Sequence, residues 1–442
     1  MTSGRELHFG YNVLGAGMHP GAWRTPYAEP FGSLDPRQWL QVAAIAERGT
    51  LDAVFLADGL ALGRDIGRLP HRPPFDPIVL LSYLAGRTER IGLIPTVSTS
   101  FEEPYNLARR IASLDHLSHG RAAWNVVTSH DAAAAQNFGA GELAGRLERY
   151  ERAQEFVDVV VKLWDSWDDD ALVGDAGSGR FADAARIRPV DHHGTHFDVT
   201  GPLNVHRPPQ GRPVIFQAGG SPAGLELAAR TADAVFCALA SLPYARAFAD
   251  DLRGRAARHG RPADSIRIMP GLSFVLGGTE EEARRRHDEL NELAGENRLA
   301  RLAGQLGVDV DVLDWDRPLP GWLLETADPS TRGSQGAREV VLDLARRERL
   351  TARQILDRVI TWHRLFIGTP EQMADDIQEW FESGAVDGFN VMPDVNPSGI
   401  EAFVDHVVPL LRARGLFRSE YRGTTLREHL GLPRLERSAA LS

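Results

Sequence analysis

The amino-acid sequence predicts an α/β fold, a (β/α)8 TIM barrel with lid-forming insertions. Short apolar runs recur along the chain, and a helical pattern follows each of them. Runs of this kind are typical of the buried strands of a parallel sheet. The first run is followed by Gly15-Ala16-Gly17-Met18-His19, with no glycine three residues after Gly17. The lack of a glycine fingerprint argues against a doubly wound open sheet, which is the main alternative.

Each strand is predicted from a short β-rich run, and each helix from its periodicity and its start signal. The eight predicted strands are Leu7–Leu14, Ala53–Ala57, Ile91–Val97, Arg121–Thr128, Pro213–Ala218, Ala234–Leu239, Ser265–Leu276 and Gly388–Met392. The predicted helices between them are Asp35–Arg48, which an Asp-Pro pair opens, Phe75–Thr88, Pro104–Leu117, Gly141–Trp167 and one that begins near Ser221. This alternation favours a parallel sheet that closes on itself.

The 442 residues are predicted to form one domain, 1–442, with two insertions and a C-terminal tail. The first insertion, about 166–211, is rich in Asp, Gly and His, and the second, about 279–369, carries the charge-rich helices Glu280–Leu293 and Ala337–Arg347. Insertions of this length normally cover the mouth of a barrel as lids or substrate walls. The tail, about 415–442, is basic and polar, and we expect it to fray or to wrap onto a neighbouring copy.

The composition excludes several classes of protein. The formal net charge is −11 and the basic residues are scattered, so a nucleic-acid-binding face is not expected. The single cysteine, Cys237, excludes an internal disulfide framework and a Cys-based metal site, and its apolar surroundings predict a buried, inert thiol. No apolar stretch approaches the ~18 residues of a membrane span, and the N-terminus does not resemble a signal peptide. We therefore expect a cytoplasmic enzyme without a membrane partner.

Small polar side chains follow neighbouring strands at their carboxyl ends, where barrel enzymes have their active sites. Asp58 follows the second strand, Thr96 and Ser98 end the third, and Asn125 opens a polar run at the end of the fourth. The fifth strand ends in Gln217-Ala218-Gly219-Gly220-Ser221 and leads into a helix. This set of groups does not suit a hydrolytic metal site. It suits a polar heterocycle that carries a phosphate.

Two features predict how a phosphate is bound. Gly219 and Gly220 allow close backbone approach, and the free amides at the helix start favour an anion. The Ser221 hydroxyl either caps this helix or binds a phosphate oxygen. Arg146 and Tyr150 are four residues apart, so they share one helix face near the mouth, where a guanidinium and a phenol can hold a phosphate. Simple solvation of Arg146 is the alternative.

Histidines occur at two places that invite a functional interpretation. His19 follows the first strand and is therefore expected at the same mouth, as a structural residue or as the catalytic proton donor or substrate contact. The stretch Asp191-His192-His193-Gly194-Thr195-His196 lies in the first insertion, and no Glu stands at the helical offset of a zinc motif. We interpret it as a solvated hairpin and predict no metal site.

Several of these residues belong to an ordered set of motifs over roughly residues 5–430. The set resembles the nitrilotriacetate, dibenzothiophene-sulfone and long-chain alkane monooxygenase group of the bacterial luciferase-like superfamily. The motifs are Ala22-Trp23-Arg24, Phe55-Leu56-Ala57-Asp58, Ala108-Arg109-Arg110 with Ser113-Leu114-Asp115-His116-Leu117-Ser118, Gly120-Arg121-Ala122 through Trp124-Asn125-Val126-Val127-Thr128-Ser129, Asn137-Phe138-Gly139, Arg149-Tyr150, and Gly201-Pro202-Leu203-Asn204 leading to Pro209-Gln210-Gly211.

The resemblance implies a two-component monooxygenase with reduced FMN (FMNH2) and O2 as co-substrates. It also implies a separate NAD(P)H-dependent flavin reductase and a homodimer or homotetramer. In this family one oxygen atom passes to an N-, S- or C-centred substrate from a flavin hydroperoxide, which a dry site must protect from water. By motif position the flavin contacts are Asp58, Thr96, Ser98, Arg146, Tyr150 and Ser221. Arg146 stands where the family usually has His, and an arginine can bind a phosphate but cannot donate a proton.

Two other functions compete with this interpretation. A deazaflavin (F420)-dependent oxidoreductase of the same superfamily would transfer a hydride without O2, but the Trp124–Ser129 stretch and the long second insertion favour the monooxygenase branch. The second is a flavin-binding protein without turnover, and the polar residues retained at the mouth argue against it. The substrate itself is left open, because the insertions that build its pocket cannot be positioned from the sequence.

Overall fold

The computed structural model describes residues 5–26, 28–62, 66–67, 70, 74–129, 131–141, 143–295, 297–325, 335–360 and 362–436. The strands, in chain order, are β1 His8–Asn12, β2 Ala53–Leu56, β3 Gly92–Ser98, β4 Ala123–Val127, β5 Leu172–Asp175, β6 Arg180–Ala182, β7 His192–His193, β8 Asp198–Val199, β9 Val214–Ala218, β10 Ala234–Phe236, β11 Arg267–Ile268, β12 Gly271–Leu276, β13 Val359–Ile360, β14 His363–Gly368 and β15 Gly388–Pro393. Eleven of them form one central sheet, ten of these parallel to their neighbours, in the order β11-β10-β9-β4-β3-β2-β1-β15-β12-β14-β13.

Helices connect the parallel strands. They are α1 Pro36–Arg48, α2 Pro77–Ala85, α3 Pro104–Leu117, α4 Ala132–Asn137, α5 Arg146–Trp164, α6 Pro222–Thr231, α7 Leu242–Arg258, α8 Glu280–Ala294, α9 Asn297–Leu306, α10 Gly321–Glu325, α11 Gln335–Glu348, α12 Ala352–Leu356, α13 Pro370–Glu382, α14 Ser398–Ala402, α15 Val408–Ala413 and α16 Leu426–His429. Short 3-10 turns lie at Ala22–Arg24, Gly32–Leu34, Ala184–Arg186 and Val310–Val312, and Phe403–Val407 is a π-helical turn. None of the described helices combines the length and the apolar character needed to cross a membrane.

Local sequence explains where many of these helices begin. The Asp35 side chain accepts a hydrogen bond from the Arg37 backbone N–H at 2.9 Å, and Asp76 does the same for Val79 at 2.9 Å. In both helices proline occupies the first position, where no N–H is needed. Thr369 begins α13 with a reciprocal capping box. These caps fix the ends of the helices that return the chain to the same edge of the sheet.

The predicted α/β fold with a parallel sheet is confirmed, and each of the eight predicted strands overlaps an observed one. Three details differ. The seventh predicted strand is divided into β11 and β12 by Met269-Pro270, because proline has no N–H for the ladder. The predicted helix Gly141–Trp167 begins only at Arg146. The second predicted insertion contains a further parallel strand, β14, which pairs with β12.

The C-terminal tail is part of the core, contrary to the expectation that it would fray or wrap onto another copy. Leu426 is fully buried and clusters with Leu430 and with side chains of the central strands, including Phe55 and Phe216. The Leu426 backbone N–H donates to the Gly120 carbonyl at 3.0 Å. Over residues 415–436 the tail therefore packs against the amino-terminal end of the sheet and excludes water from it.

Buried ion pairs hold the tail in place. Arg418 lies 2.9 Å from Asp52, and Arg427 lies 2.8 Å from Asp233, with both arginines almost fully buried. Burial alone would raise the pKa of Asp52, but the positive charge of Arg418 and the nearby His8 outweigh it and lower that pKa to about 2. Asp52 is therefore charged and paired at neutral pH.

The two insertions differ in their relation to the rest of the chain. Residues 166–211 form the hairpins β5–β6 and β7–β8. There His192 Nε2 is 3.1 Å from Glu155 on α5, and His193 is paired with Asp198 at 2.9 Å. In the second insertion α9 to α12 pack around their own apolar cluster, which includes Leu302 and Val341.

The burial of Leu426 predicts a large loss of stability when the side chain is shortened. Leu426→Ala leaves a cavity where the tail meets the sheet, and we expect it to lower the free energy of unfolding by about 2–5 kcal/mol. Urea denaturation followed by circular dichroism measures the change. The control is Leu172→Ala on the first hairpin, where the side chain is 41% exposed. Equal losses for the two variants would contradict a tail that belongs to the core.

Candidate active site

A cavity of about 560 Å3 lies at the carboxyl ends of the central strands. Parallel strands end at one edge of their sheet, so the residues that follow β2, β3, β4, β9 and β10 meet there. The cavity is lined by every cofactor-binding residue predicted from the sequence: Asp58, Thr96, Ser98, Asn125, Arg146, Tyr150, Gly220 and Ser221. The structure therefore brings together side chains that are separated by more than 160 residues in the chain.

The ends of β3 and β4 form a polar surface inside this cavity. The Asn125 amide nitrogen donates to the Thr96 hydroxyl at 2.9 Å, and the Asn125 side-chain oxygen is buried without a partner among the described residues. Ser98 and Ser129 hydroxyls lie 2.7 Å apart, and Ser100 accepts from the Ser129 backbone N–H at 3.2 Å. A buried amide oxygen with no partner is unfavourable unless a bound molecule donates to it.

Asp58 lies beside this surface, and one of its oxygens accepts a hydrogen bond from the Gly59 backbone N–H at 2.8 Å. Burial raises the pKa of the Asp58 carboxyl from 3.8 to about 6, and the negative charges of Asp76 and Glu102 add to the rise. The backbone hydrogen bond opposes the shift without cancelling it. Near neutral pH a modest gain in negative potential is therefore enough to protonate this carboxyl.

The beginning of α6 forms a second part of the cavity. Ser221 caps the helix, since its hydroxyl accepts from the Gly224 backbone N–H at 3.2 Å, and the same hydroxyl lies 3.3 Å from the Tyr150 hydroxyl. Gly219 has φ +153°, a conformation that an L side chain rarely adopts, and it brings the backbone close to the cavity. The capping interpretation of Ser221 is thus observed, and the hydroxyl still faces the cavity beside a phenol.

Two arginines on the first turn of α5 lie against the same space. Arg146 is the first residue of α5, and Arg149 follows three residues later on the same turn. Arg149 donates to the Ala144 carbonyl, while its Nε is buried without a partner in the described part of the chain. Burial, and then the positive charge of Arg146, lower the pKa of Arg149. Arg149 was not predicted as a site residue, although its spacing of three from Arg146 places it on the same helix face.

A wall without charged groups lines a further part of the cavity. We call it the apolar wall, and it consists of Phe236, Cys237, Ala238, Tyr244, Phe248, Trp362 and His363. Cys237 is buried, as predicted, and burial raises the pKa of its thiol, which is therefore not a nucleophile at neutral pH. Sequence reasoning assigned no site role to the other members. Trp362 and His363 belong to the second predicted insertion, whereas no residue of 166–211, all of which are described, lines the cavity.

His19 lies apart from this group, because it is not among the described residues that line the cavity. Its side chain is 1% exposed, and its Nδ1 accepts a hydrogen bond from the Gly21 backbone N–H at 3.1 Å. Its Nε2 is 3.1 Å from the Asn291 side-chain oxygen on α8. Nδ1 therefore holds the first loop together, and Nε2 joins this loop to α8. The catalytic role of His19 stays a prediction that the cavity geometry does not support.

Comparison with known proteins agrees with this geometry. The model of the luciferase-like monooxygenase family matches residues 14–387. Nitrilotriacetate monooxygenase component A of Aminobacter aminovorans is 43% identical, with 100% of this chain and 99% of that protein covered. Dibenzothiophene-sulfone monooxygenase of Rhodococcus erythropolis (strain XP) is 38% identical, with 98% of each covered. The solved structure of EDTA monooxygenase from Chelativorans sp. BNC1 is 38% identical and has a TM-score of 0.82, with 97% and 99% covered.

These likenesses extend over the whole length of the chain and of its relatives, and they agree with the motifs from which the family was predicted. The chain belongs to the luciferase-like monooxygenase family.

Proposed function

We propose that this enzyme is the oxygenating component of a two-component system that uses reduced FMN and O2. In this proposal it transfers one oxygen atom to an N-, S- or C-atom of a small organic substrate. The observation that carries the proposal is the convergence of the eight predicted cofactor-binding residues on one cavity. The cavity volume, about 560 Å3, is in the range of small-molecule and cofactor sites.

We also propose that the sheet closes into an eight-stranded barrel through the segment that contains β11 and β12. Two hydrogen bonds support closure. The Met269 backbone N–H donates to the Val235 carbonyl at 2.9 Å, and the Asn390 N–H donates to the Pro270 carbonyl at 2.9 Å. One segment thus contacts β10 on one side and β15 on the other. In this arrangement β14 is an additional strand at the mouth.

The donor groups of the cavity fit the two ends of FMN. Arg146, Tyr150 and Ser221 offer a guanidinium and two hydroxyls beside the start of α6, and these are groups that bind a phosphate. The unpartnered oxygen of Asn125 accepts from an N–H of a flavin ring, and Thr96 and Ser98 add hydroxyls beside it. The arginine in place of the usual histidine strengthens anion binding at that point.

Bound reduced FMN supplies the electrons for O2 activation, and the protein residues bind, orient and protect it. The polar groups of β3, β4 and α6 hold the cofactor in one orientation. The apolar wall leaves few hydrogen-bonding partners for water on the opposite side, so it favours a dry reaction space. Asp58, with its raised pKa, is the described group in the cavity best suited to exchange a proton near neutral pH.

The proposal includes partners and assembly. A separate NAD(P)H-dependent flavin reductase supplies reduced FMN. The name of the relative nitrilotriacetate monooxygenase component A, which marks one part of a larger system, supports this. A homodimer or homotetramer in the cytoplasm is also proposed, and sedimentation that shows only monomer would contradict the assembly.

Anaerobic titration with photoreduced FMN, followed by mixing with oxygenated buffer, tests the function. We expect saturable binding of reduced FMN and a transient near-UV absorption band before oxidised flavin appears. Binding without the transient band would favour the flavin-binding protein without turnover. Failure to bind FMN, together with binding of deazaflavin, would favour the F420-dependent alternative.

The same titration tests the phosphate site. Arg146→Ala removes a charged donor, and we expect the Kd for reduced FMN to rise about tenfold or more, with partial recovery in Arg146→Lys. Arg109→Ala is the control, since Arg109 is exposed on α3 and hydrogen-bonds to Asn106. An unchanged Kd in Arg146→Ala would show that the phosphate binds elsewhere.

The raised pKa of Asp58 predicts a pH-dependent effect on stability. The folded chain holds the Asp58 proton more tightly than the unfolded chain, so this contribution is complete below pH 3.8 and is lost as the pH rises to about 6. Asp58→Asn removes the ionisation but keeps a neutral polar group. We expect the variant to gain stability relative to wild type across this interval and to show a constant difference above it.

Urea denaturation at several pH values measures this difference. Asp175→Asn on the exposed β5–β6 hairpin is the matched control with the opposite sign, because hydrogen bonds from Ser178 lower the pKa of Asp175. There the wild type should lose stability relative to the variant as the pH falls. A pH-independent difference for Asp58→Asn would contradict the raised pKa.

A further inference from the structure

We propose that the apolar wall binds an uncharged, flat organic group of the substrate, and that His363 is the residue that determines this specificity. The inference rests on the proposed function, since it assigns the polar side of the cavity to FMN and the apolar wall to the substrate. It names the class of substrate, which the family does not fix. The relatives named above include enzymes for nitrilotriacetate, EDTA and a sulfone.

The distribution of charge in the cavity is the first argument. Among the described lining residues the charged groups are Asp58, Asp131, Arg146 and Arg149, and none of these belongs to the apolar wall. With Arg146 at the phosphate, one cation is left, and it lies on the same helix turn. A buried carboxylate needs a cation or several donors to compensate for its lost hydration. A substrate with several carboxylates would therefore find no partner on the apolar wall.

The shape of the wall is the second argument. The His363 and Phe236 rings are stacked, with centroids 4.9 Å apart and planes inclined by 14°. Phe236 also contacts Phe55, with centroids 5.1 Å apart. Tyr244 and Phe248 are four residues apart on α7, so their rings share one face of that helix. Flat aromatic surfaces of this kind favour a flat apolar ligand over a branched, hydrated one.

His363 is held firmly in this wall. It is the first residue of β14, and β14 is anchored to α13 by Arg364 and Asp376 at 2.7 Å. The His363 Nδ1 lies over Gly271, only 2.3 Å from where a Cβ at that position would be, and it has no partner among the described residues. A side chain at position 271 would displace the ring. With Nδ1 on the buried edge, the opposite ring edge, which carries Nε2, is left for the cavity.

The charge state of His363 agrees with a neutral ligand. Burial lowers the pKa of the imidazole to about 4, so the ring is neutral at neutral pH. With the proton on Nε2, the neutral imidazole offers the cavity one N–H donor and no charge. It thus suits a sulfone, amide or carbonyl oxygen on an otherwise apolar molecule. A carboxylate would find one donor there but no positive charge to compensate for its lost hydration.

A pair of probes tests the inference on the full-length protein loaded with FMN. Dibenzothiophene sulfone is flat and neutral, whereas nitrilotriacetate carries three carboxylates. We expect calorimetry to show binding of the sulfone, with nitrilotriacetate at least about tenfold weaker. His363→Phe keeps the stacked ring but removes the hydrogen bond, and it should weaken sulfone binding about three- to tenfold. His193→Phe, on the β7–β8 hairpin with a side chain 78% exposed, is the control and should change nothing.

The outcomes separate this inference from the proposed function. The Kd for FMN, measured first, should be the same in wild type and in His363→Phe. If the wild type does not bind FMN, the proposed function itself is contradicted. With FMN bound, tighter binding of nitrilotriacetate, binding of neither probe, or an unchanged sulfone affinity in His363→Phe would each overturn the inference. Circular dichroism checks that the variant is folded, and His363→Gln, which keeps a polar group, should bind the sulfone better than His363→Phe.

Discussion

Parallel pairing of the central strands is the constraint on which the rest of the structure depends. A parallel neighbour can be reached only if the chain first returns to the starting edge, so each strand needs a crossover, here mostly helical. Tyr11 shows the result, since it is paired with Val54 on one side and with Val391 on the other. All carboxyl ends then share one edge. The cavity is a consequence of this pairing, because it brings Asp58 and Asn125 together from separate strands.

The amino-terminal end of the sheet carries stability rather than chemistry. Arg121 is buried there with no carboxylate partner among the described residues, and its guanidinium donates instead to backbone carbonyls and to the Thr88 hydroxyl. Asp115 accepts from the Ala122 backbone N–H at 3.1 Å and from the Gln210 amide at 2.7 Å. These residues belong to the motifs that identify the family. Removing one partner would leave a buried polar group or charge unpaired, at a cost of several kcal/mol.

The parts that sequence predicts are those with a local signal. The apolar runs predict the strands, and the rule that active sites follow strand ends predicts the polar side of the cavity. In the apolar wall, Phe236, Cys237 and Ala238 lie in the sixth predicted strand, but His363 had no such signal, because β14 is only half-buried along most of its length and His363 is followed by an arginine. The prediction for the C-terminal tail was wrong for a similar reason. Leu426 and Leu430 are four apart and buried, but the polar residues around them dominate the composition of the segment. His19 was placed at the correct end of its strand, yet periodicity does not tell which neighbours a loop residue contacts.

The two sides of the cavity come from different elements, and this separation has a consequence for function. The register of the parallel strands and the starts of α5 and α6 fix the polar side, where the cofactor is proposed to bind. The apolar wall comes from β10, from α7 and from β14, which lies inside the second predicted insertion. In the proposed function, substitutions in it can alter the substrate without replacing Arg146 or Ser221. Two relatives are named for substrates as different as nitrilotriacetate and dibenzothiophene sulfone. Both are 38–43% identical to this chain over nearly its whole length, so such different substrates occur in chains of the same overall build. In the proposed function, specificity can therefore change where a ring such as His363 is exchanged for a cation, while the residues proposed to bind the cofactor stay the same.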